Sequence, residues 1–511
     1  MNSKKKVLAA IAAGLTTIPL AAAAPVTAAP PGSAAHPEST SRWASWLGSN
    51  TTATATTLAQ VRTLIGAGTG TAASLTGKGV GVALIDTGVA PVAGLPASQI
   101  VNGPDLSFES QASNLRYLDT YGHGTHMAGI IVGNDTATGT KGIAPGVKLT
   151  SIKVGTSNGT VDVSQVIAAV DWVVEHKNDD SANPIKVINL SYGSGGTPQN
   201  WNDSLGYAVE KAWRSGIVVV AAAGNDGNSV GSQANPAMNE WILSVGSADT
   251  KNTTAVSDDV LTTFTNLPAN GGKQVDVLAP GVSILSLRDA GSYIDVTYPA
   301  ARSGDTLFRG SGTSQSAAIT SAAVALILQS KPTATPDQIK EWLRQSATYV
   351  PNGYASTMGL KEINVNAALA RAVSNPTVLA QNFSKSNGSG SLDSARGSSR
   401  VMFDNVPLTG ERTVWGPMNV AGWAAKANTG DSWVGGKWMG FQVAGEGWTG
   451  TSFASKTWAA STWSNSKPWT GASAWTDPGW TARTWAARTW AGGTWSARTW
   501  ASDDWSSSTW G

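Results

Sequence analysis

Gly310-Ser311-Gly312-Thr313-Ser314-Gln315-Ser316 runs straight into Ala317-Ala318-Ile319 and then into Ser321–Leu328, a string of small apolar residues. A helix built from such a run is apolar nearly all round, so it must be buried. Its entrance is tight and polar. Ser314 falls in the first turn, where unpaired backbone N–H groups and the positive end of the helix dipole point. A negative charge forming beside Ser314 is stabilised there, as acyl transfer requires. A serine that merely caps the helix fits this stretch equally well.

The rest of the chain shows what encloses such a helix. Val80–Ile85, Leu149–Val154, Ile185–Leu190, Ile217–Ala222, Ile242–Val245 and Val275–Leu278 are continuous apolar runs of strand length. Between them Val163–His176 places Val166, Ile167, Val170, Val173 and Val174 on one helical face, and Ser204–Arg214 reads as a helix stopped before Gly216. Leu58–Ile65 is a short amphipathic helix. Thr335-Pro336 opens what reads as the last helix, with Thr at the cap and Pro at the first position. Strands without polar alternation, interleaved with helices, predict an α/β fold with a mostly parallel sheet covered on both faces. Reactive residues then belong at the carboxyl ends of strands.

A nucleophilic serine needs a base, and the chain has four histidines. His36 lies in a Pro/Ala-rich leader, and His176 stands on a polar helix face beside Glu175 and Lys177, where solvation is expected. His123 and His126 share Gly122-His123-Gly124-Thr125-His126-Met127-Ala128-Gly129, a glycine-rich entrance to another small-residue helix. His126 lies one turn beyond His123 and is expected to be a structural hydrogen-bonding residue, since His-x-x-His without a nearby Glu is a poor zinc motif. A carboxylate is offered by Asp86, at the end of the apolar strand before Thr87-Gly88.

Asp86 in ALIDTG, His123 in GHGTHMAG and Ser314 in GSGTSQSA resemble the three signature blocks of the subtilisin-like serine proteases, in the order known for subtilisin. The resemblance covers about 50–375. It implies a three-layer subtilisin-like fold and a catalytic triad of Ser314 as nucleophile, His123 as base and Asp86 as orienting carboxylate. It assigns Asn225, in Gly224-Asn225-Asp226-Gly227, to the oxyanion hole with the Ser314 N–H; alone, that stretch would read as a turn. It assigns Ser191, Tyr192, Gly193 and Ala222, Ala223, Gly224 to the walls of a substrate slot that takes a large apolar side chain. Lys153, Val154 and Gly155 resemble the edge that pairs with the substrate backbone by strand addition. Asp119 also matches, although a loop carboxylate is usually solvated. Two positions depart from the family: Gln315 stands where Met is common beside the nucleophile, and Ala318 where Pro is usual.

Composition bounds the remainder. The net charge of +2 does not argue for nucleic acid, and the absence of cysteine excludes a thiol nucleophile. Lys4-Lys5-Lys6 before an Ala-rich apolar run to Ala24, interrupted by Pro19, reads as a signal peptide over 1–29, too short for a transmembrane helix. A secreted protein follows, with no transmembrane segment. Residues 30–49 are polar and leave little room for the folded pro-domain that the resembled family carries. After the catalytic domain at 50–375, the Ser/Gly-rich stretch 376–400 reads as a linker, and 401–450 as a short β-rich segment. The tail at 451–511 is dominated by Trp, which recurs every five residues from Trp475 to Trp510. It resembles the ends of secreted actinobacterial proteases. It reads either as a low-complexity tail or as a cell-wall or glycan-binding surface.

The reading is thus a secreted serine endopeptidase of broad specificity acting on protein or peptide substrates. It requires no cofactor; structural calcium is compatible with it and not placed. The competing reading is a catalytically silent scaffold that binds cell surfaces.

Overall fold

The computed structural model describes residues 55–443, apart from 112–114, 158, 197–200, 270–271, 399 and 404–405. The expectations for the leader, for His36 and for the Trp-repeat tail lie outside these residues.

Among the described residues, eight parallel strands form the centre. In chain order they are β1 (Gly81–Asp86), β2 (Ile100–Asp105), β3 (Lys148–Lys153), β4 (Ile185–Leu190), β5 (Val218–Ala222), β6 (Leu243–Asp249), β8 (Val277–Pro280) and β10 (Lys361–Glu362). β7 (Val260–Leu261) and β9 (Thr348–Tyr349) add antiparallel edges to β6 and β10. Across the sheet the order is β9-β10-β8-β6-β5-β4-β1-β3-β2. The chain therefore enters at an interior strand, runs out to one edge and crosses back to build the other half. The crevice at the carboxyl ends beside that reversal is where such sheets place their sites. β1 through β6 are buried along almost their whole length, which is why their sequences show no alternation.

Two layers of helix cover the sheet. α1 (His123–Val132) packs on α4 (Thr313–Ser330), and α4 crosses β4, β5, β6 and β8. Every residue of α4 from Thr313 to Leu328 is buried, as its all-round apolar composition demands. α2 (Val163–His176) and α3 (Ser204–Arg214) lie side by side as the second layer. α5 (Pro336–Ser346) has the expected Thr335 cap and Pro at its start, but it is not the last helix. α6 (Val365–Ser374) follows and packs on α5 and α4.

The larger difference lies beyond 375. The stretch expected to be a linker contains α7 (Leu392–Arg396), whose Leu392, Ala395 and Arg396 are buried. Among the described residues, the stretch expected to be β-rich has only two-residue strands, together with α8 (Val420–Thr429). The described residues of 386–443 form a collar against α2 and α3. Trp423 and Trp438 both direct their indole N–H to Asp171 Oδ2 of α2, at 2.7 and 2.9 Å. Tyr207 of α3 donates to Ala424 O at 3.0 Å. His176, expected in solvent, is half-buried and stacks on Trp172 with 4.5 Å between ring centres. The outer polar face of α2 is therefore not a solvent face. It is an interface within the chain.

Candidate active site

Asp86 ends β1, and the loop after it is built to hold His123. Asp86 Oδ1 accepts from the Thr87 backbone N–H at 2.8 Å and from His123 Nδ1 at 2.8 Å. Both side chains are buried. The start of α1 is pressed onto the same loop: the Gly124 N–H donates to Thr87 Oγ1 at 2.9 Å. A Cβ on Gly124 would lie 2.1 Å from the Gly88 carbonyl oxygen, so only glycine lets the His123 turn approach this closely.

Asp119 is not solvated as its loop position suggested. It is buried, and its Oδ1 accepts from Thr87 Oγ1 at 2.8 Å and Gly122 N at 2.7 Å. Its Oδ2 accepts from Thr125 N at 2.7 Å. This one carboxylate satisfies N–H groups at the entrance of α1 and ties them to the residue after Asp86. Its loop position did not show this, because the helix begins after Gly122 and the Thr125 N–H that Asp119 accepts lies six residues further on. His126 is fully buried, and burial, with His123 as a second cause, holds its imidazole down at about 3. It is neutral, and its own carbonyl accepts from Ser286 Oγ at 2.8 Å.

Ser314 lies in the first turn of α4, and the strand ends around it are tied to that turn. Ser314 Oγ donates to Ser191 O, and Ser191 Oγ to Ser314 O, each at 3.4 Å. Ser191 is fixed in turn by Asn189 Nδ2 at 3.0 Å, and Asn189 Oδ1 by Ser321 Oγ of α4 at 2.8 Å. Asn225, just past the end of β5, accepts from the Thr313 backbone N–H at 2.8 Å and from Thr313 Oγ1 at 3.1 Å, both on Oδ1. Gly224 N donates to the same threonine hydroxyl at 3.2 Å.

Ser191–Gly193 and Ala222–Gly224 leave adjacent strands, β4 and β5, as parallel segments. Tyr192 does not offer its ring to the space between them: it is 1% exposed and turned into the core. Ala234 lies against both segments: a Cβ on Gly193 would lie 2.6 Å, and one on Gly224 3.2 Å, from the Ala234 Cβ. Lys153, Val154 and Gly155 differ from expectation. β3 is flanked by β1 and β2, so Lys153 is not at an edge. Its ammonium is buried against Glu109 Oε2 at 2.6 Å and also donates to Leu118 O. The Val154 and Gly155 N–H groups already donate to Asp86 O, at 2.8 and 3.4 Å. Their amides hold the Asp86 loop and are not available to pair with a substrate.

Among the described residues, no group of three or more His, Cys, Asp or Glu side chains is arranged to hold a metal ion, and no helix is long and apolar enough to cross a membrane.

The subtilase family model matches residues 77–383. Serine protease AprX of Bacillus subtilis is 37% identical over 277 residues, which span 53% of this chain and 62% of AprX, just under two thirds of its length. Subtilisin DY of Bacillus licheniformis is 36% identical over 297 residues, 57% of this chain and 91% of that protein. Among solved structures, a cold-adapted subtilisin-like serine proteinase aligns at 29% identity with a TM-score of 0.43, covering 57% of this chain and 90% of that one. A protease of Pseudoalteromonas arctica aligns at 27% identity with a TM-score of 0.47, covering 59% and 92%. The family match covers more than half of the chain, and it contains the strand end bearing Asp86, the helix start bearing His123 and the buried helix bearing Ser314: the chain belongs to the subtilase family of subtilisin-like serine endopeptidases.

Proposed function

We propose that this chain is a secreted serine endopeptidase that cleaves peptide bonds through an acyl-enzyme on Ser314. The observation that carries the reading is the 2.8 Å bond between His123 Nδ1 and Asp86 Oδ1, buried at the N-terminus of a helix that packs on the helix of Ser314. Donation of the Nδ1 proton to Asp86 makes Nε2 the basic nitrogen. In this role His123 accepts the Ser314 hydroxyl proton as Oγ attacks the carbonyl carbon, then delivers it to the leaving amine. Asp86 holds the ring and offsets the imidazolium charge without itself taking the proton.

The carbonyl oxygen becomes an oxyanion at the N-terminus of α4. The Ser314 N–H, in the first turn of that helix, is one donor; the Asn225 Nδ2 group is the other. The slot between Ser191–Gly193 and Ala222–Gly224 carries no charge. It favours Phe or Leu over Lys or Asp on the acyl side of the scissile bond (P1). The Trp-rich tail supports a second, separate role as a wall- or glycan-binding surface, in the manner the actinobacterial resemblance suggests.

Labelling by a fluorophosphonate, read by mass spectrometry, tests the reading directly. Ser314 is expected to be modified, and Ser314→Ala to lose about 10⁶ in kcat, the loss found when the corresponding unit is broken in subtilisin. Asp86→Asn is expected to lose roughly 10⁴. A chain that takes no label, or a Ser314→Ala variant within tenfold of the parent, would leave only the silent binding scaffold.

A further inference from the structure

The collar begins beyond the family match, which ends at residue 383, yet its first helix touches the segment that continues one wall of the proposed substrate slot. Arg396 of α7 is fully buried, and its guanidinium grips Asp162 with Nε to Oδ2 at 2.6 Å and Nη2 to Oδ1 at 3.3 Å. Asp162 caps α2 through the Ser164 N–H at 3.0 Å. Gln165, which completes that capping box, donates from Nε2 to Val154 O at 3.3 Å, in the segment that holds the Asp86 loop. On its other side, α7 accepts Ser194 Oγ on Ala395 O at 2.5 Å, and Ser194 directly follows the wall Ser191–Gly193. The two backbones nearly touch: a Cβ on Gly196 would lie 2.4 Å from Ala395 O. A buried two-toothed Arg–carboxylate pair fixes orientation as well as distance, so where α7 sits sets where the wall sits.

We infer that Arg396 is a positioning residue for substrate binding, through which the C-terminal collar sets the width of the slot between Ser191–Gly193 and Ala222–Gly224. This rests on the proposed protease function. A slot lined by main chain reads a side chain by shape, and a wall displaced by ~1 Å can cost ~10²-fold. α7 itself packs on α2 and α3, whereas the triad rides on β1, α1 and α4. Loss of Arg396 therefore falls on binding of a large P1 side chain more than on the chemistry at Ser314.

The test uses the full chain with Arg396→Ala, Arg396→Lys and Gly196→Ala. Peptides with Phe or Ala at P1 are compared, and active serine is counted by fluorophosphonate labelling. For Arg396→Ala, KM for the Phe peptide is expected to rise about tenfold, while KM for the Ala peptide and kcat per labelled serine stay within about threefold. Arg396→Lys should recover part of the change. Gly196→Ala, which displaces Ala395 and leaves the ion pair in place, should move the Phe/Ala ratio in the same direction. If Arg396→Ala does not fold, the other two variants decide. An unchanged Phe/Ala ratio in the folded variants, with only the melting temperature lowered, would make Arg396 merely structural and overturn the inference. A parent chain that takes no label would instead overturn the protease reading beneath it.

Discussion

The backbone N–H of Thr313 donates to Asn225 Oδ1 at 2.8 Å, so the residue before the nucleophile fixes which end of the Asn225 amide faces away. With Oδ1 held by Thr313, Nδ2 is presented as a donor beside the start of α4. Asn225→Asp keeps the acceptor for Thr313 and removes the donor. Its kcat is expected to fall about 10²–10³-fold or more, since the new charge also opposes an oxyanion. KM for the same peptide should change little. Steady-state kinetics decide it: a loss confined to KM would place Asn225 in substrate binding instead.

His126 gives the folded state a dependence on pH. Burial keeps its folded value at about 3, whereas an exposed His titrates near ~6.5. Between these values the unfolded chain takes up a proton that the folded chain refuses. The contribution is therefore fully present above ~6.5 and is lost as pH falls toward the folded value, by up to about 1.4 kcal/mol per unit. Asp203 acts with the opposite sign. Burial raises its carboxyl to about 7, so it favours the folded state in acid and loses that contribution as pH rises. A His126→Gln variant isolates the first effect. In a Ser314→Ala background, which prevents self-digestion, urea midpoints should show the variant less stable at pH 7 and the gap closing toward pH 4. A gap that does not change with pH would mean that His126 takes up its proton alike in the folded and unfolded chains.

Gln315 is fully buried, and among the described residues neither of its amide atoms has a hydrogen-bond partner. A buried amide left unpaired costs about 1–3 kcal/mol. Gln315→Met removes that cost at similar volume and is expected to raise the melting temperature. The same change places a thioether beside Ser314, where peroxide can convert it to the sulfoxide. The parent should keep most of its activity after mild peroxide treatment, and the variant should lose it, with the added oxygen found on Met at 315 by mass spectrometry. Rapid inactivation of the parent through another residue of the site would refute this.

The sheet, the Asp86–His123 pair and the buried helix whose first turn holds Ser314 were legible because each depends on local pattern. Asp86, His123 and Ser314 sit where an apolar run meets glycines, and β1, β4 and β5 are apolar without interruption. Lys153 was misplaced because a strand's own residues do not say whether it has one neighbour or two; β2, which buries it, carries Asn102-Gly103-Pro104 and does not read as a strand. The collar was missed for a different reason. Small residues serve a flexible linker and a tight backbone contact equally well. Gly388 is small because a Cβ there would lie 2.8 Å from the Tyr207 ring. The partner of Trp423 is a carboxylate 252 residues earlier in the chain, on a helix face that looks solvated when read alone.

The collar changes what truncation should do. A linker after 380 would let the catalytic domain work without anything downstream. Instead Trp415, Trp423 and Trp438 are fully buried large side chains, and Asp171 would lose both indole partners and Asp162 its guanidinium partner. Removing a buried aromatic costs roughly 3–5 kcal/mol, and stripping one member of a buried ion pair a similar amount. Together these exceed the ~5–15 kcal/mol that holds a domain folded. A chain ending at 380 is therefore expected to be unfolded or aggregated and to take no fluorophosphonate label. A chain ending at 443 keeps the collar and should turn over small soluble peptides as the full chain does, losing only retention on cell-wall or polysaccharide material. Calorimetry and labelling of the two truncations separate the cases. If the 380 form labels and melts like the parent, the collar is an ornament on the fold; if the 443 form fails, the Trp-rich tail is part of the catalytic fold.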